Sequence, residues 1–302
     1  MYVILGATGH TGSAIAETLL AKAEKVRALG RSKERLAKVA GLGAEPFVGD
    51  IADPAFLTRA FDGARAIYFM VPPNPSSNDY RGHQRQIIEA GATALEATRV
   101  RYVVALSSFG ADKESGTGPV AGLHEMESRF QQISGLNALY LRAGYFMENV
   151  LAQVGVIEKF GMIAAPLRND LLLPLIATAD IAGAAAEHLL RLDFSGHQTK
   201  ELLGERDISY AEVARIVGVA IGKPTLSYMQ LPNEQFVEAL TQMGFSRSFA
   251  GLMVEMTDAL NDGRMKALEP RSAVNTTLTS FETFVKNVFA PAFRGKAATA
   301  SA

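Results

Sequence analysis

The first twenty residues constrain this chain more than any other stretch. Met1-Tyr2-Val3-Ile4-Leu5 is a short apolar run, followed at once by Gly6-Ala7-Thr8-Gly9-His10-Thr11-Gly12. A periodic segment comes next, with Ile15, Leu19 and Leu20 on one side. The pattern reads strand, glycine-rich turn, helix, an arrangement suited to holding a pyrophosphate. Gly6 allows a tight turn, Gly9 lets backbone approach phosphate without an intervening Cβ, and Gly12 lets the helix pack closely on the sheet. The helix N-terminus adds unpaired N–H groups and a partial positive charge. Gly6, Thr8, Gly9, His10, Thr11 and Gly12 are thereby the expected phosphate cradle. A glycine pattern alone says little, and its position between strand and helix is what gives it meaning. The plain alternative is a tight turn with no ligand.

Strand and helix patterns then alternate at short spacing. Strands are predicted at residues 25–29, 44–48, 64–71, 100–106 and 138–142, and helices at 12–23, 33–40, 79–98 and 119–133. A further helix starts at Asp53-Pro54, with Asp53 as cap and Pro54 in the first turn. Such alternation predicts an α/β fold, a doubly wound parallel sheet with right-handed crossovers. Ligands of such sheets bind beyond the C-terminal strand ends. This singles out Arg31, Asp50, Ile51, Met70, Val71, Pro72, Ser107, Ser108, Gly144 and Tyr145 beside the first turn.

The remainder is less regular. Residues 145–160 read as helix and 161–166 as extended. The apolar stretch 171–190 is broken by Pro174, Asp180, Glu187 and His188, so it reads as a buried strand then a helix capped by Thr178, with no membrane span. A strand is expected at 199–203. Helices are expected at 209–218 (Ser209 capping, Glu212 three residues on), 236–243, 248–262 and 279–288. The expected division is a dinucleotide-binding domain over 1–144, joined by 179–204. Residues 145–178 and 205–291 form a smaller, discontinuous C-terminal α+β lobe, and 292–302 a flexible tail.

Composition narrows the function classes. With 30 basic and 31 acidic residues the net charge is −1, so no broad attraction to nucleic acid or membrane is expected. There is no cysteine, which removes disulfides, thiolate metal sites and a Cys nucleophile, and suits a reducing cytoplasm. A first strand beginning at residue 2 leaves no room for a signal peptide. His188 and His197 have no partner at ligand spacing, so no metal is expected. His83, between Arg81 and Arg85, reads as a solvated helix face. Met243, Met253, Met256 and Met265, with Phe236, Phe245 and Phe249, either line an apolar pocket or form helical core.

The end of the second strand chooses between NAD and NADP. An acidic residue there accepts from the ribose 2′-OH and repels a 2′-phosphate. Here the turn reads Gly30-Arg31-Ser32-Lys33 with Arg35 nearby, no carboxylate is expected at it, and Arg31 can pair with phosphate through its planar fork. NADP(H) is favoured over NAD(H), against the alternative of ordinary solvated charges. Asp50-Ile51 either frames the adenine or is a turn.

Taken together, Gly6-Ala7-Thr8-Gly9-His10-Thr11-Gly12, Gly30-Arg31, Gly49-Asp50-Ile51 and Leu141-Arg142-Ala143-Gly144-Tyr145-Phe146-Met147-Glu148-Asn149 resemble the NmrA-like branch of atypical short-chain dehydrogenases. The resemblance is good over residues 1–190 and loose beyond. It implies a Rossmann sheet, NADP preference and a small C-terminal lobe closing over the nicotinamide. It also implies either an NADPH-dependent quinone reductase or an NADP-binding sensor that docks to a partner protein. Typical short-chain dehydrogenases use Ser, Tyr and Lys. Ser107 or Ser108 stands at the Ser position, while Val120 falls at the Tyr position and His124 at the Lys position. His124 has three readings: a hydrogen bond to the nicotinamide ribose, a proton donor, or a helix residue with no chemical role. Tyr145 is the other candidate acid, or a packing aromatic beside Phe146.

Two functions follow. An enzyme would pass hydride from NADPH to a quinone or related conjugated carbonyl, a reaction that tolerates a missing Tyr. A non-catalytic redox sensor is favoured by the missing Tyr–Lys pair. Nucleotide-sugar epimerase or dehydratase chemistry needs that Tyr and ranks last.

Overall fold

A computed structural model describes residues 1–300, with side chains through residue 295. Seven parallel strands form its central sheet: β1 (Tyr2–Ile4), β2 (Val26–Gly30), β3 (Glu45–Val48), β4 (Ala66–Phe69), β5 (Tyr102–Ser108), β6 (Asn137–Ala143) and, after three short strands elsewhere, a seventh at His197–Leu202. The short strands are β7 (Tyr145–Phe146), β8 (Met162–Ala165) and β9 (Leu173–Ile176), so the seventh is β10. The sheet order is β10-β6-β5-β4-β1-β2-β3. The chain therefore winds outward from β1 to β3, returns, and winds outward again from β4. The reversal opens a crevice at the C-terminal ends of β1 and β4.

The strands read as unbroken apolar runs because both faces are covered. Tyr2, Val3, Ile4, Leu5, Ile67, Tyr68 and Phe69 are all buried. On one face lie α1 (His10–Ala21) and α2 (Lys33–Gly41), joined later by a helix over Thr178–Arg191. Ile15, Leu19, Ile181, Ala185 and Leu189 pack there on Tyr2, Ile4, Val104 and Leu139. On the other face lie α3 (Pro54–Phe61), α4 (Tyr80–Thr98) and α5 (Ala121–Gln131). Phe61, Ile87, Leu95 and Phe130 pack there on Val3, Ile67, Phe69 and Tyr140.

A third apolar cluster belongs to the smaller C-terminal lobe. The lobe contains α6 (Gln153–Phe160) and, after α7 (Thr178–Arg191), β11 (Asp207–Ile208), α8 (Tyr210–Ala220), β12 (Ser227–Gln230), α9 (Asn233–Gln242), α10 (Arg247–Asn261) and α11 (Phe281–Phe284). Val150, Ile157, Leu175, Val213, Leu260 and Phe284 form its core. β11, β9 and β7 make one small sheet, and β12 and β8 another. α12 (Ala290–Ala300) is helical through most of the segment read as a tail, and residues 301–302 lie outside the described residues. Among the described residues, no helix is long and apolar enough to cross a membrane.

Local signals held where they were self-contained. Asp53 accepts from the Ala55 N–H with Pro54 in the first turn, and Ser209 accepts from Glu212 N–H. Residues 145–160 do not form the single helix expected. Tyr145 and Phe146 pair in parallel with Leu175 and Ile176, a 3₁₀ segment covers Met147–Ala152, and only then does α6 begin. Thr178 is likewise the first residue of α7 and not its cap. Its N–H and hydroxyl donate to Glu148 Oε1 at 3.0 and 2.5 Å, so the carboxylate of Glu148 satisfies the helix end from across the lobe.

Candidate active site

The first turn is built as a cradle. Gly6 sits at φ +64°, and the Gly9 N–H donates to its carbonyl at 2.8 Å. A Cβ on Gly12 would lie 2.3 Å from the Gly6 oxygen, so Gly12 serves contact between α1 and the turn itself. α1 has no side-chain cap and no acidic residue in its first turn. Its first N–H groups are open to an anion, and Thr8, Gly9 and His10 beside them are exposed. This donor set suits a pyrophosphate. Thr11 differs: its side chain is buried, and Oγ1 accepts from the Tyr68 hydroxyl at 2.9 Å. It pins the turn to β4 and can offer a ligand only backbone.

Beyond β2, Arg31 is exposed and forms no ion pair among the described residues. The expectation that this turn lacks a carboxylate is corrected by Glu34. Ser32 caps α2 by accepting from Arg35 N–H at 3.2 Å, and its hydroxyl donates to Glu34 Oε2 at 2.7 Å. That bond holds the Glu34 carboxyl below its ordinary value. Asp50 Oδ1 accepts from Ala52 N–H at 2.9 Å, the turn reading of this residue, and Ile51 is half-buried beside it.

Past the C-terminal ends of β4 and β5 lies a cavity of about 330 Å³. Met70 connects it to the cradle: a Cβ on Gly6 would meet its sulfur at 2.9 Å. Val71 lines the cavity with Met70, whereas Pro72 does not. The opposite wall is α10, which supplies Phe249, Met253 and Met256, and Met265 follows. Met243 is 62% exposed, and neither it nor Phe236 nor Phe245 reaches the cavity. The polar lining is Tyr80, Gln84, Ser107, Ser108, Tyr145 and Asn149, and no described Lys, Arg, His, Asp or Glu lines it. α10 is held on by Ser246 N–H donating to the Pro75 carbonyl at 2.8 Å and by Tyr80 against Phe249, ring centres 5.1 Å apart.

Ser107 lies at the cavity and His124 away from it. The Ser107 hydroxyl donates to Glu127 Oε1 at 2.5 Å. Arg142 grips the same buried carboxylate through Nε at 3.0 Å and Nη2 at 2.6 Å. Ser107 thus edges the cavity, but its hydroxyl is committed to a buried pair. His124 does not line the cavity at all. Its Nδ1 lies 2.9 Å from the Ala111 carbonyl and its Nε2 3.4 Å from Ser128 Oγ. It faces an outer groove with Arg85, Glu89 and Glu114. On this stretch Val120 and Leu123 face the cavity instead.

Tyr145 lines the cavity on the lobe side, its ring edge-on to Tyr210 at 6.2 Å. Burial pushes its phenol above the ordinary value of 10, partly opposed by hydrogen bonds from Tyr210 and Asn149. Tyr80 is pushed by burial to about 12. Both phenols keep their protons at neutral pH. Gln84 went unread in the sequence: it is buried, and Nε2 donates to the Pro119 carbonyl at 3.0 Å. Its companion signal is Gly122, where a Cβ would lie 2.2 Å from Gln84 Oε1. Among the described residues no cluster of three or more His, Cys, Asp or Glu is placed to hold a metal ion.

Comparison with known proteins agrees with this architecture. The model of the NmrA-like family matches residues 2–285. An NAD(P)H azoreductase of Xenophilus azovorans is 28% identical over 258 residues, 85% of this chain and 86% of that protein. The solved NADPH-dependent quinone oxidoreductase of Escherichia coli superposes with a TM-score of 0.76 at 24% identity, over 96% of this chain and 100% of that one. The triphenylmethane reductase of Citrobacter sp., solved with NADP(H), gives 0.79 at 21% identity, over 95% and 99%.

Proposed function

The chain belongs to the NmrA-like family, and on that premise we propose that it is an NAD(P)H-dependent reductase of uncharged, conjugated acceptors such as quinones. The observation that carries this reading is the cavity. It adjoins the phosphate cradle through Met70, its apolar walls are chiefly Met, Phe and Leu, and among the described residues no charged side chain lines it. Sulfur and aromatic faces suit a flat, polarisable ring. A nucleotide sugar, with its diphosphate, would find no cation there. The azoreductase and quinone oxidoreductase relatives support a small-molecule substrate for this chain.

When bound, the cofactor supplies a hydride. The cradle at Gly6–Gly12 would hold its pyrophosphate, and Arg31, exposed and without an ion pair among the described residues, would favour NADP(H) by pairing with a 2′-phosphate. Glu34, tied to Ser32, is the group that works against this preference. The cavity walls exclude water around the ring. Tyr145, protonated and held by Asn149, donates a proton to acceptor oxygen. Its partner Tyr210 keeps the phenol aimed from the lobe. The cysteine-free chain suits a reducing cytoplasm, where we place it.

The second reading, a redox sensor without turnover, is favoured by one observation. Val120 stands where typical short-chain dehydrogenases place the Tyr, and His124, at the Lys position, does not line the cavity. Neutral and sulfonated quinones with the same ring separate these readings. Loss of NADPH absorbance is expected with the neutral ring and to be at least about tenfold slower with the sulfonate, which buries a charge without a partner. Tight NADPH binding with no oxidation by either supports the sensor.

A further inference from the structure

A second cavity, of about 320 Å³, lies behind the first. The two share only Phe109 and Met265 among the residues that line them. Leu173, Leu203 and Leu260 line it and are buried, Leu172, 61% exposed, lines it too, and the charged part of its lining is Lys266, Glu269 and the Asp207–Arg271 ion pair. Both shared residues are buried and held by backbone bonds, and they differ in the side chain. Phe109 is fixed at the end of β5, its N–H donating to the Ala143 carbonyl at 3.0 Å and its carbonyl accepting from Ser108 Oγ at 3.0 Å. Met265 sits in the turn after α10, two residues past Gly263 at φ +76°, with its N–H donating to the Ala259 carbonyl at 2.9 Å. Its side chain lies over Gly110, where a Cβ would come within 2.5 Å of Met265 Cγ. An unbranched thioether has several rotamers of similar energy and moves at little cost.

Resting on the reductase reading, we propose that Met265 is a movable partition and that the second cavity receives an apolar tail carried by the acceptor. The ring stays in the first cavity, beside Met70 and Tyr145. An alkyl or prenyl chain on that ring passes between Met265 and Phe109, lies against Leu173, Leu203 and Leu260, and leaves past Leu172. The favoured acceptor is therefore a quinone with a long hydrocarbon substituent. Each methylene moved out of water is worth roughly a fourfold gain in affinity, so a tail filling part of the chamber outweighs the cost of turning one Met.

The test compares NADPH-dependent reduction of two benzoquinones that differ only in a methyl or a decyl substituent, using the full chain. The decyl acceptor is expected to have a kcat/KM at least about tenfold higher, mainly through KM. Ala267→Phe narrows the second chamber without touching the first. It should bring the two acceptors to within about twofold of each other while leaving the methyl acceptor unchanged. Met265→Ala, which removes the partition, should favour the decyl acceptor further. Equal kcat/KM for both acceptors in the wild-type protein overturns the proposal, as does a decyl preference that survives Ala267→Phe. No turnover of either acceptor overturns the reductase reading itself, a result distinct from turnover without tail preference.

Discussion

Ser107 stands where typical short-chain dehydrogenases carry a Ser, with its hydroxyl already engaged. Its hydroxyl is bonded to Glu127, which is in turn gripped twice by Arg142. Ser107→Ala should leave turnover within about threefold and lower stability by about 1 kcal/mol, the usual worth of one such bond. A hundredfold loss of kcat with an unchanged melting curve would return Ser107 to the chemistry. Glu127→Gln is a harsher change, because it leaves a largely buried guanidinium without its partner. It should cost about 3–5 kcal/mol in denaturant unfolding. His124→Ala, by contrast, should alter neither cofactor affinity nor turnover, since its ring faces the outer groove. The sequence left the role of His124 open among three readings and did not show the Ser107–Glu127–Arg142 bonds. Counting positions along the chain located Val120 and His124, but the turn at Gly118–Val120 sets which side each presents, and that depends on α10 pressing against it. Glu34 was missed for a simpler reason: it stands two residues past Ser32, and only the hydrogen bond brings it to the turn.

At the scale of elements, the β1–α1 unit was the most legible part because strand, turn and helix are consecutive and each glycine has a local reason. It is refined at Thr11, whose hydroxyl meets Tyr68, and at Gly12, which meets the Gly6 carbonyl. Gly12→Ala forces backbone against backbone. It should cost about 1–3 kcal/mol and weaken NADPH at least tenfold, as isothermal titration would read. An unchanged affinity would place the cofactor elsewhere. The run from Leu141 to Asn149 was legible as a signature and illegible as structure. Arg142 binds Glu127, Tyr145 and Phe146 form a strand, and Glu148 holds the start of α7. Each partner lies fifteen or more residues away, so periodicity alone reads helix where pairing makes strand.

For the whole molecule, the sheet reversal at β1 and β4 puts the cradle and the cavity side by side, and the C-terminal lobe closes the cavity with α10 and Tyr145. The doubly wound sheet could be read from alternation. The discontinuous C-terminal lobe was expected too, but its small sheet could not be read, because β7, β9 and β11 come from three separate segments. Tyr145 gives this level a pH signature. A group whose pKa is raised above 10 by burial stays in its acid form through neutral pH. Turnover should therefore not fall between about pH 6 and 9 through loss of this proton, and should decline only above about 10. Tyr145→Phe should slow turnover about a hundredfold with NADPH affinity unchanged. Equal rates would assign proton delivery to solvent.

The most direct measurement is oxidation of NADPH, followed by absorbance, in a stopped-flow mixture of this protein with a neutral quinone, using cofactor protiated or deuterated at C4. The reductase account predicts oxidation that depends on the protein and slows on deuteration of one face. Tight NADPH binding with no oxidation by any quinone would contradict it.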